Sequence, residues 1–150
     1  MCEKIQIHAT MLKMNGKAVL IKGKSGCGKS DLALRLLTDK NVHLVADDVV
    51  SLFLENNKVY GKAPENLQGL LEVRGVGVVK MPYVKQATVD LVVNLVDNPE
   101  EIERMPKIAH ENILGLEIER IDLYAKECSA PEKVKIKLNG VLVNDEPIKG

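Results

Sequence analysis

The spacing of apolar and polar residues predicts a chain of short strands with few helices. Apolar residues alternate loosely over 5–13, and Asn15-Gly16, a pair typical of tight hairpin turns, separates them from an apolar returning strand over 17–22. A glycine-rich loop follows. Residues 30–39 then place four apolar side chains at helical spacing, which predicts a short amphipathic helix: Leu32, Ala33, Leu36 and Leu37.

The remainder of the chain continues the strand-rich pattern. Further strands are predicted over 43–46, 49–54, 73–79, 87–96 and 116–124, with 87–96 as the clearest central strand. Asn98-Pro99 is typical of a helix start, and Ala130-Pro131-Glu132 begins either a final helix or a hairpin around Asn139-Gly140. We therefore expect an α/β fold with a mixed β-sheet and few helices. We expect residues 1–150 to form a single domain.

Composition narrows the class of protein. Aromatic residues make up 3% of the chain, so the core must be aliphatic. Lys and Arg number 21 and balance 21 Asp and Glu, so net charge gives no reason to expect a nucleic-acid or membrane-surface partner. The three cysteines, Cys2, Cys27 and Cys128, are odd in number and form no CxxC pair. No signal peptide is recognisable, and no apolar run is long enough to span a bilayer. We expect a soluble, cytoplasmic domain.

A complete Walker A pattern, Gly-x4-Gly-Lys-Ser, lies between the strand over 17–22 and the predicted helix. Its glycines let backbone amides approach phosphate oxygens, and a helix N-terminus adds partial positive charge. Lys29 is expected to reach the β- and γ-phosphates, and the Ser30 hydroxyl to ligate Mg²⁺. The predicted nucleotide-binding residues are Gly23, Lys24, Ser25, Gly26, Cys27, Gly28, Lys29 and Ser30.

Other polar residues do not indicate a function clearly when each is considered alone. Asp47-Asp48 ends a predicted strand, either as a solvated turn or as a pair in which one carboxylate lies near a metal and the other acts as a base. Glu72 and Arg74 interrupt an apolar stretch, either as an exposed edge or as buried functional charges. His8 alone is typical of an ordinary strand residue, and Arg104 alone of an exposed helical charge.

Taken together, these segments resemble the catalytic domain of HPr kinase/phosphorylase, the bacterial enzyme that phosphorylates a serine of the phosphocarrier HPr. The matching residues occur in family order over roughly 5–105. They are His8, the loop at 23–30, Leu-Val-Ala-Asp-Asp at 44–48, Gly-Lys-Ala-Pro at 61–64, Leu-Glu-Val-Arg-Gly-Val-Gly-Val-Val at 71–79, Asn-Leu at 94–95 and Glu-Arg at 103–104.

The resemblance implies a fold and a set of roles. The fold would be a P-loop kinase variant related to phosphoenolpyruvate carboxykinase, acting on HPr with ATP and Mg²⁺. Asp48 would be the general base, with Asp47 beside it near the metal, and Glu72 would join Ser30 in serving Mg²⁺. Lys29, His8 and Arg104 match positions counted as catalytic in the family.

The chain also departs from the family pattern. Asp31 stands where long members have glutamate, Met81-Pro82-Tyr83-Val84 replaces a glycine-rich loop, and the segment that supports dephosphorylation has no counterpart near 120–135. We therefore expect a short form with the catalytic domain only, and kinase activity is implied more directly than phosphorylase activity. Family members assemble into hexamers, which the resemblance extends to this chain. The alternatives are a kinase with a different acceptor and a nucleotide-binding regulatory module with little turnover.

Overall fold

The computed structural model describes residues 4–140, which form twelve strands and two α-helices. The helices are α1 (Lys29–Leu37) and α2 (Ala130–Asn139). The strands are β1 (Lys4–His8), β2 (Thr10–Met14), β3 (Lys17–Lys22), β4 (Val42–Ala46), β5 (Val49–Glu55), β6 (Lys58–Lys62), β7 (Leu70–Val73), β8 (Gly77–Lys80), β9 (Gln86–Thr88), β10 (Leu91–Leu95), β11 (Ala109–Ile113) and β12 (Leu116–Leu123).

The largest sheet has six strands in the order β11-β12-β10-β3-β2-β4. The inner strands β12, β10 and β3 are parallel, and their other neighbours are antiparallel. A second, antiparallel sheet has the order β1-β5-β6-β9, and β7 and β8 form a separate hairpin. The predicted α/β fold with mixed sheets and few helices is confirmed.

The core lies on both faces of the six-stranded sheet. Alternate residues of β3 point in opposite directions, as the period of a strand requires. Val19 and Ile21 pack with the two helices, whereas Leu20 packs with residues of the four-stranded sheet, such as Val50 and Leu52. Both clusters consist almost entirely of aliphatic side chains and methionine, as composition predicted. The six-stranded sheet is thus covered by helices on one face and by the second sheet on the other.

Three strand predictions need correction. Residues 5–13 form two strands, because the chain passes from the four-stranded to the six-stranded sheet at Ala9. Residues 87–96 also divide between the two sheets, and the dividing residue Asp90 is bonded through its backbone and side chain to Ala18 of β3. Residues 73–79 form no single strand, since Gly75 (φ 85°) and Gly77 (φ 127°) turn the chain between β7 and β8.

Two further predictions concern helices. The chain from Ala130 onward forms α2, so the helix is the correct alternative. Residues 141–150, which include most of the alternative hairpin, lie outside the described residues, as does Cys2. The helix predicted after Asn98 is a single 3-10 turn, Pro99–Glu101, with Asn98 as its cap. Neither helix between residues 4 and 140 combines the length and apolar character needed to cross a membrane.

Candidate active site

The glycine-rich loop joins β3 to the N-terminus of α1. Gly28 caps the helix in the left-handed conformation (φ 98°), and an added Cβ there would lie 3.1 Å from the Cβ of Ala125. A Cβ added at Gly23 would collide with the Sγ of Cys27, whose side chain is buried under the loop. Glycine is therefore required at Gly23 by space, and at Gly28 chiefly by backbone conformation, with Ala125 in close contact.

Lys29 places its charged end inside this loop. The residue is only 7% exposed, and its Nζ donates to the backbone oxygens of Gly23 at 2.8 Å and Lys24 at 3.2 Å. These carbonyls satisfy a buried ammonium group that would otherwise be costly. The positive charge is thus already held at the point where the loop amides and the α1 N-terminus would attract an anion.

A cleft of about 370 Å³ opens beside the loop and α1. It brings together residues from four separate parts of the chain. Its lining is formed by His8, Thr10, Ser25, Gly26, Gly28, Lys29, Ser30, Asp31, Leu34, Asp48, Glu72, Val73 and Arg74. Of the predicted loop residues, Gly23, Lys24 and Cys27 support the loop without lining the cleft, and Lys24 faces Asp97 at 3.8 Å.

One wall of the cleft is formed where two chain segments pass between the sheets side by side. The segment from β1 to β2 crosses at Ala9, and the segment from β4 to β5 crosses at Asp47 and Asp48. The two crossings are joined by the Ala9 amide, which donates to the Asp48 carbonyl at 3.2 Å. This pairing places His8 beside Asp48 and Thr10 beside Asp47.

Asp47 is buried and accepts three hydrogen bonds. The hydroxyls of Thr10 and Ser30 donate to its Oδ1 at 3.1 and 3.3 Å, and the Glu72 amide donates to its Oδ2 at 3.2 Å. A buried carboxylate needs such donors to remain in place. Asp47 therefore links α1, β2 and the β7–β8 hairpin.

Asp48 has the opposite environment. Its side chain is 64% exposed, and its Oδ1 lies 3.1 Å from the Nδ1 of His8, which is itself 55% exposed. The backbone of Asp48 is left-handed (φ 67°). The carboxylate is thus accessible to a large reactant and has one fixed neighbour.

Glu72 and Arg74 reach the cleft from the β7–β8 hairpin. Both side chains are exposed to solvent, as the edge-strand interpretation predicts, and both also line the cleft. Arg104, in contrast, lies outside this cleft. It lines a neighbouring one of about 690 Å³, together with residues of β11, β12 and α2 that include His110, Arg120 and Lys137.

Comparison with known proteins decides the family. The family described as "HPr Serine kinase C-terminal domain" matches residues 1–134. The chain belongs to this family. Similar curated proteins are HPr kinase/phosphorylase from Mycoplasma mycoides, 36% identical over 129 residues (77% of this chain), and from Variovorax paradoxus, 35% identical over 131 residues (79% of this chain). In both cases the match spans 41% of the relative's length.

A solved structure agrees with this assignment. The Hpr(Ser) kinase/phosphatase from Coxiella burnetii superposes with a TM-score of 0.78 at 30% identity, covering 87% of this chain and 86% of that one. The family resemblance drawn from the motifs is therefore confirmed, as is the fold. The roles of individual site residues in this HPr kinase family member stay predictions.

The side chains present suit a nucleotide with bound Mg²⁺. Within residues 4–140 no group of three or more His, Cys, Asp or Glu is arranged to hold a metal ion. Mg²⁺ commonly keeps several waters and takes its remaining ligands from one or two protein oxygens and from substrate phosphates. The Ser30 hydroxyl, bonded to Asp47 at the start of α1, offers an oxygen of that kind. The glycine positions leave the loop backbone open toward the cleft.

The predicted site residues leave out five residues that line the cleft: Thr10, Asp31, Leu34, Val73 and Arg74. Thr10 was treated only as part of an alternating strand, and Arg74 was considered only as one member of a charged pair. Nothing in the local sequence distinguishes Thr10 from the other residues of its strand, because its burial is a property of the fold. Its partner Asp47 is 37 positions away, so the contact itself depends on the crossing of the two segments.

Proposed function

We propose that this domain is an ATP- and Mg²⁺-dependent protein serine kinase that phosphorylates HPr. The supporting observation is one cleft in which Lys29 and Ser30 of the P-loop lie with the exposed Asp48–His8 pair, in a chain of the HPr serine kinase family. The named activity of the relatives belongs to proteins of which this chain spans about 41%, so for this chain it is a proposal. A cytoplasmic location and hexameric assembly, both implied by resemblance, belong to the same proposal.

The loop residues bind the phosphates. Backbone amides of residues 23–28 and the α1 N-terminus offer donors and positive potential, and Lys29 turns its ammonium group from the loop carbonyls to the β- and γ-phosphates. Ser30 would hold the metal through its hydroxyl oxygen, with Asp47 bonded behind it and Glu72 also lining the cleft. When bound, Mg·ATP supplies the phosphoryl group and neutralises part of its charge.

Asp48 serves as general base toward the serine. Its carboxylate is exposed enough to meet a protein side chain and accepts the hydroxyl proton, while His8 holds that carboxylate in one orientation. Phosphoryl transfer depends mainly on positioning and charge neutralisation, which this set of residues provides. Arg104 enters the proposal only through the family resemblance, because it lines the neighbouring cleft.

Mass spectrometry of HPr after incubation with the domain and Mg·ATP tests the proposal. We expect one added phosphate, located on a serine. Asp48→Asn, a substitution that suits the left-handed backbone, is expected to reduce the transfer rate by about 10²–10⁴-fold, the usual contribution of a general base. Nucleotide binding should be unchanged, since Asp48 makes no bond to the loop.

Asp39→Asn is the matched control. Asp39 follows α1 outside the cleft, where the Asn41 amide and Lys135 hold its pKa below the usual range. That variant should retain full transfer. Retained transfer in Asp48→Asn would refute the base assignment. Nucleotide binding without any transfer to HPr would instead favour a different acceptor or a regulatory module.

A further inference from the structure

The carboxylate of Asp47 is held from three directions, and one of them lies outside the recognised motifs. Ser30 belongs to the P-loop, and Glu72 belongs to the Leu-Glu-Val-Arg-Gly segment. The third donor, Thr10, belongs to the segment that crosses between the two sheets. Thr10 is 1% exposed, and Asp47 is 9% exposed, so their hydrogen bond is shielded from water.

The position of Thr10 is fixed by the backbone on both sides. Ala9, its neighbour, is bonded to the Asp48 carbonyl, and Thr10 itself begins β2 in register with Ile21 of β3. A β-branched side chain in a strand has few rotamers, so the hydroxyl has little freedom to leave Asp47. Ser30, in contrast, is exposed, and its bond to the same oxygen is longer, at 3.3 Å.

We propose that Thr10 is a positioning residue for metal-bound nucleotide and acts through Asp47. By fixing the carboxylate, Thr10 keeps Oδ1 where it accepts the Ser30 hydrogen. A hydroxyl that donates its hydrogen backward keeps its oxygen lone pairs available for a cation in the cleft. The inference rests on the proposed use of Mg·nucleotide and does not depend on which molecule accepts the phosphate.

The structure explains why a hydroxyl is required at this position. Without Thr10, Oδ1 would be held only by the exposed Ser30, and the Glu72 amide would hold only the other oxygen. The carboxylate could then rotate, and the orientation of the Ser30 hydroxyl would no longer be fixed. Partners that orient metal ligands in this indirect way usually contribute about 10–100-fold to metal affinity or activity.

The test compares ADP binding with and without Mg²⁺, measured by isothermal titration calorimetry. In Thr10→Val, which keeps the shape and removes the hydroxyl, we expect the Mg²⁺-dependent gain in ADP affinity to fall about 10–100-fold. The Kd for ADP in EDTA should stay within about twofold of the unsubstituted value, by the same argument. Thr10→Ser restores the hydroxyl and should restore most of the gain.

Thr88→Val is the matched control, because the Thr88 hydroxyl also donates to an aspartate, Asp90 at 3.2 Å, away from the cleft. It should leave the Mg²⁺-dependent gain unchanged. If Thr10→Val does not fold, Thr10→Ala is measured against the same criterion.

A second check introduces Thr10→Val into the Asp47→Asn variant. If Thr10 acts through Asp47, the double variant should lose little more of the Mg²⁺-dependent gain than Asp47→Asn alone, because the effects of substitutions in one hydrogen-bond network are not additive.

The outcomes separate this inference from the proposed function. An unchanged Mg²⁺-dependent gain in the variant lacking the Thr10 hydroxyl overturns the inference, and so does equal weakening with and without Mg²⁺, which would indicate a general structural loss. If the unsubstituted domain binds Mg·ADP but does not phosphorylate HPr, the proposal that HPr is the acceptor is wrong, and the role of Thr10 is unaffected. Absence of Mg²⁺-dependent binding in the unsubstituted domain overturns both.

Discussion

At the scale of single residues, the two adjacent aspartates differ because of one backbone angle. Asp48 is left-handed at φ 67°, a conformation that aspartate tolerates better than most residues. The turn lets Asp47 continue inward from β4 while Asp48 stays exposed beside His8. The sequence leaves this pair open between a solvated turn and a division into a metal-side carboxylate and a base, and the two roles stay predictions.

His8→Ala is expected to lower the kcat for phosphate transfer while leaving nucleotide affinity unchanged. Even a charged contact at such an exposed position contributes only about 0–1 kcal/mol to stability, so the domain should remain folded. Loss of the neighbour that orients Asp48 should cost up to about 10²-fold, comparable to a displacement of about 1 Å at a reacting group. Steady-state kinetics with HPr and ATP provide the measurement.

His43→Ala provides the control for this prediction, because His43 lies on β4 and does not line the cleft. It should leave kcat near the unsubstituted value. If His8→Ala and His43→Ala have equal kcat, His8 does not orient the base.

At the scale of elements, the β7–β8 hairpin is attached to the body mainly by one face. Leu71 is fully buried in the helix-side core, and Val73 and Val79 pack against it, whereas Val76 and Val78 are exposed. The attachment matters for the cleft because the next residue, Glu72, donates its amide to Asp47. Packing on one side of the hairpin therefore supports a hydrogen bond in the candidate site.

Leu71→Ala should destabilise the domain by about 2–5 kcal/mol, the usual cost of removing a buried leucine side chain. Val78→Ala, on the exposed face of the same hairpin, should change the free energy of unfolding by no more than about 0.5 kcal/mol. Urea unfolding followed by circular dichroism measures both. Equal midpoints for the two variants would mean that the hairpin is not anchored through Leu71.

At the scale of the whole molecule, local patterns predicted the site better than the sheet connections. The strand, loop and α1 are predictable because their signals lie within one continuous segment, residues 17–37, and depend on glycine and helix geometry. The passages between sheets at Ala9 and Asp90 carry no glycine or proline, so nothing in the local sequence marked them. Thr10 was missed for the same reason, since its function depends on a contact made by the fold.

The same distinction applies to Arg104. The family resemblance placed it among catalytic residues, but position within a motif does not determine which cleft a side chain lines. The segment that contains Arg104 runs between β10 and β11, and the neighbouring cleft forms there against β12 and α2. Family membership thus predicts which residues to examine, and the fold decides which of them lie together.

The final prediction concerns the stability of the whole domain. A ligand that binds only the folded state at 100 times its Kd adds about 2.7 kcal/mol. For a chain of this size that corresponds to a rise in Tm of roughly 5–10 °C, at about 2–4 °C per kcal/mol. Mg·ADP should produce this rise in differential scanning calorimetry, because its phosphates are proposed to bind the loop between the central strand β3 and α1.

AMP with Mg²⁺ is the control, since it lacks the β-phosphate that Lys29 is proposed to bind. At the same concentration it should shift Tm by much less, and Mg²⁺ alone should have little effect. An equal shift with AMP and ADP would place the stabilising contacts at the nucleoside. The loop at 23–30 would then not be the principal binding element, although its spacing and its position at the α1 N-terminus favour that role.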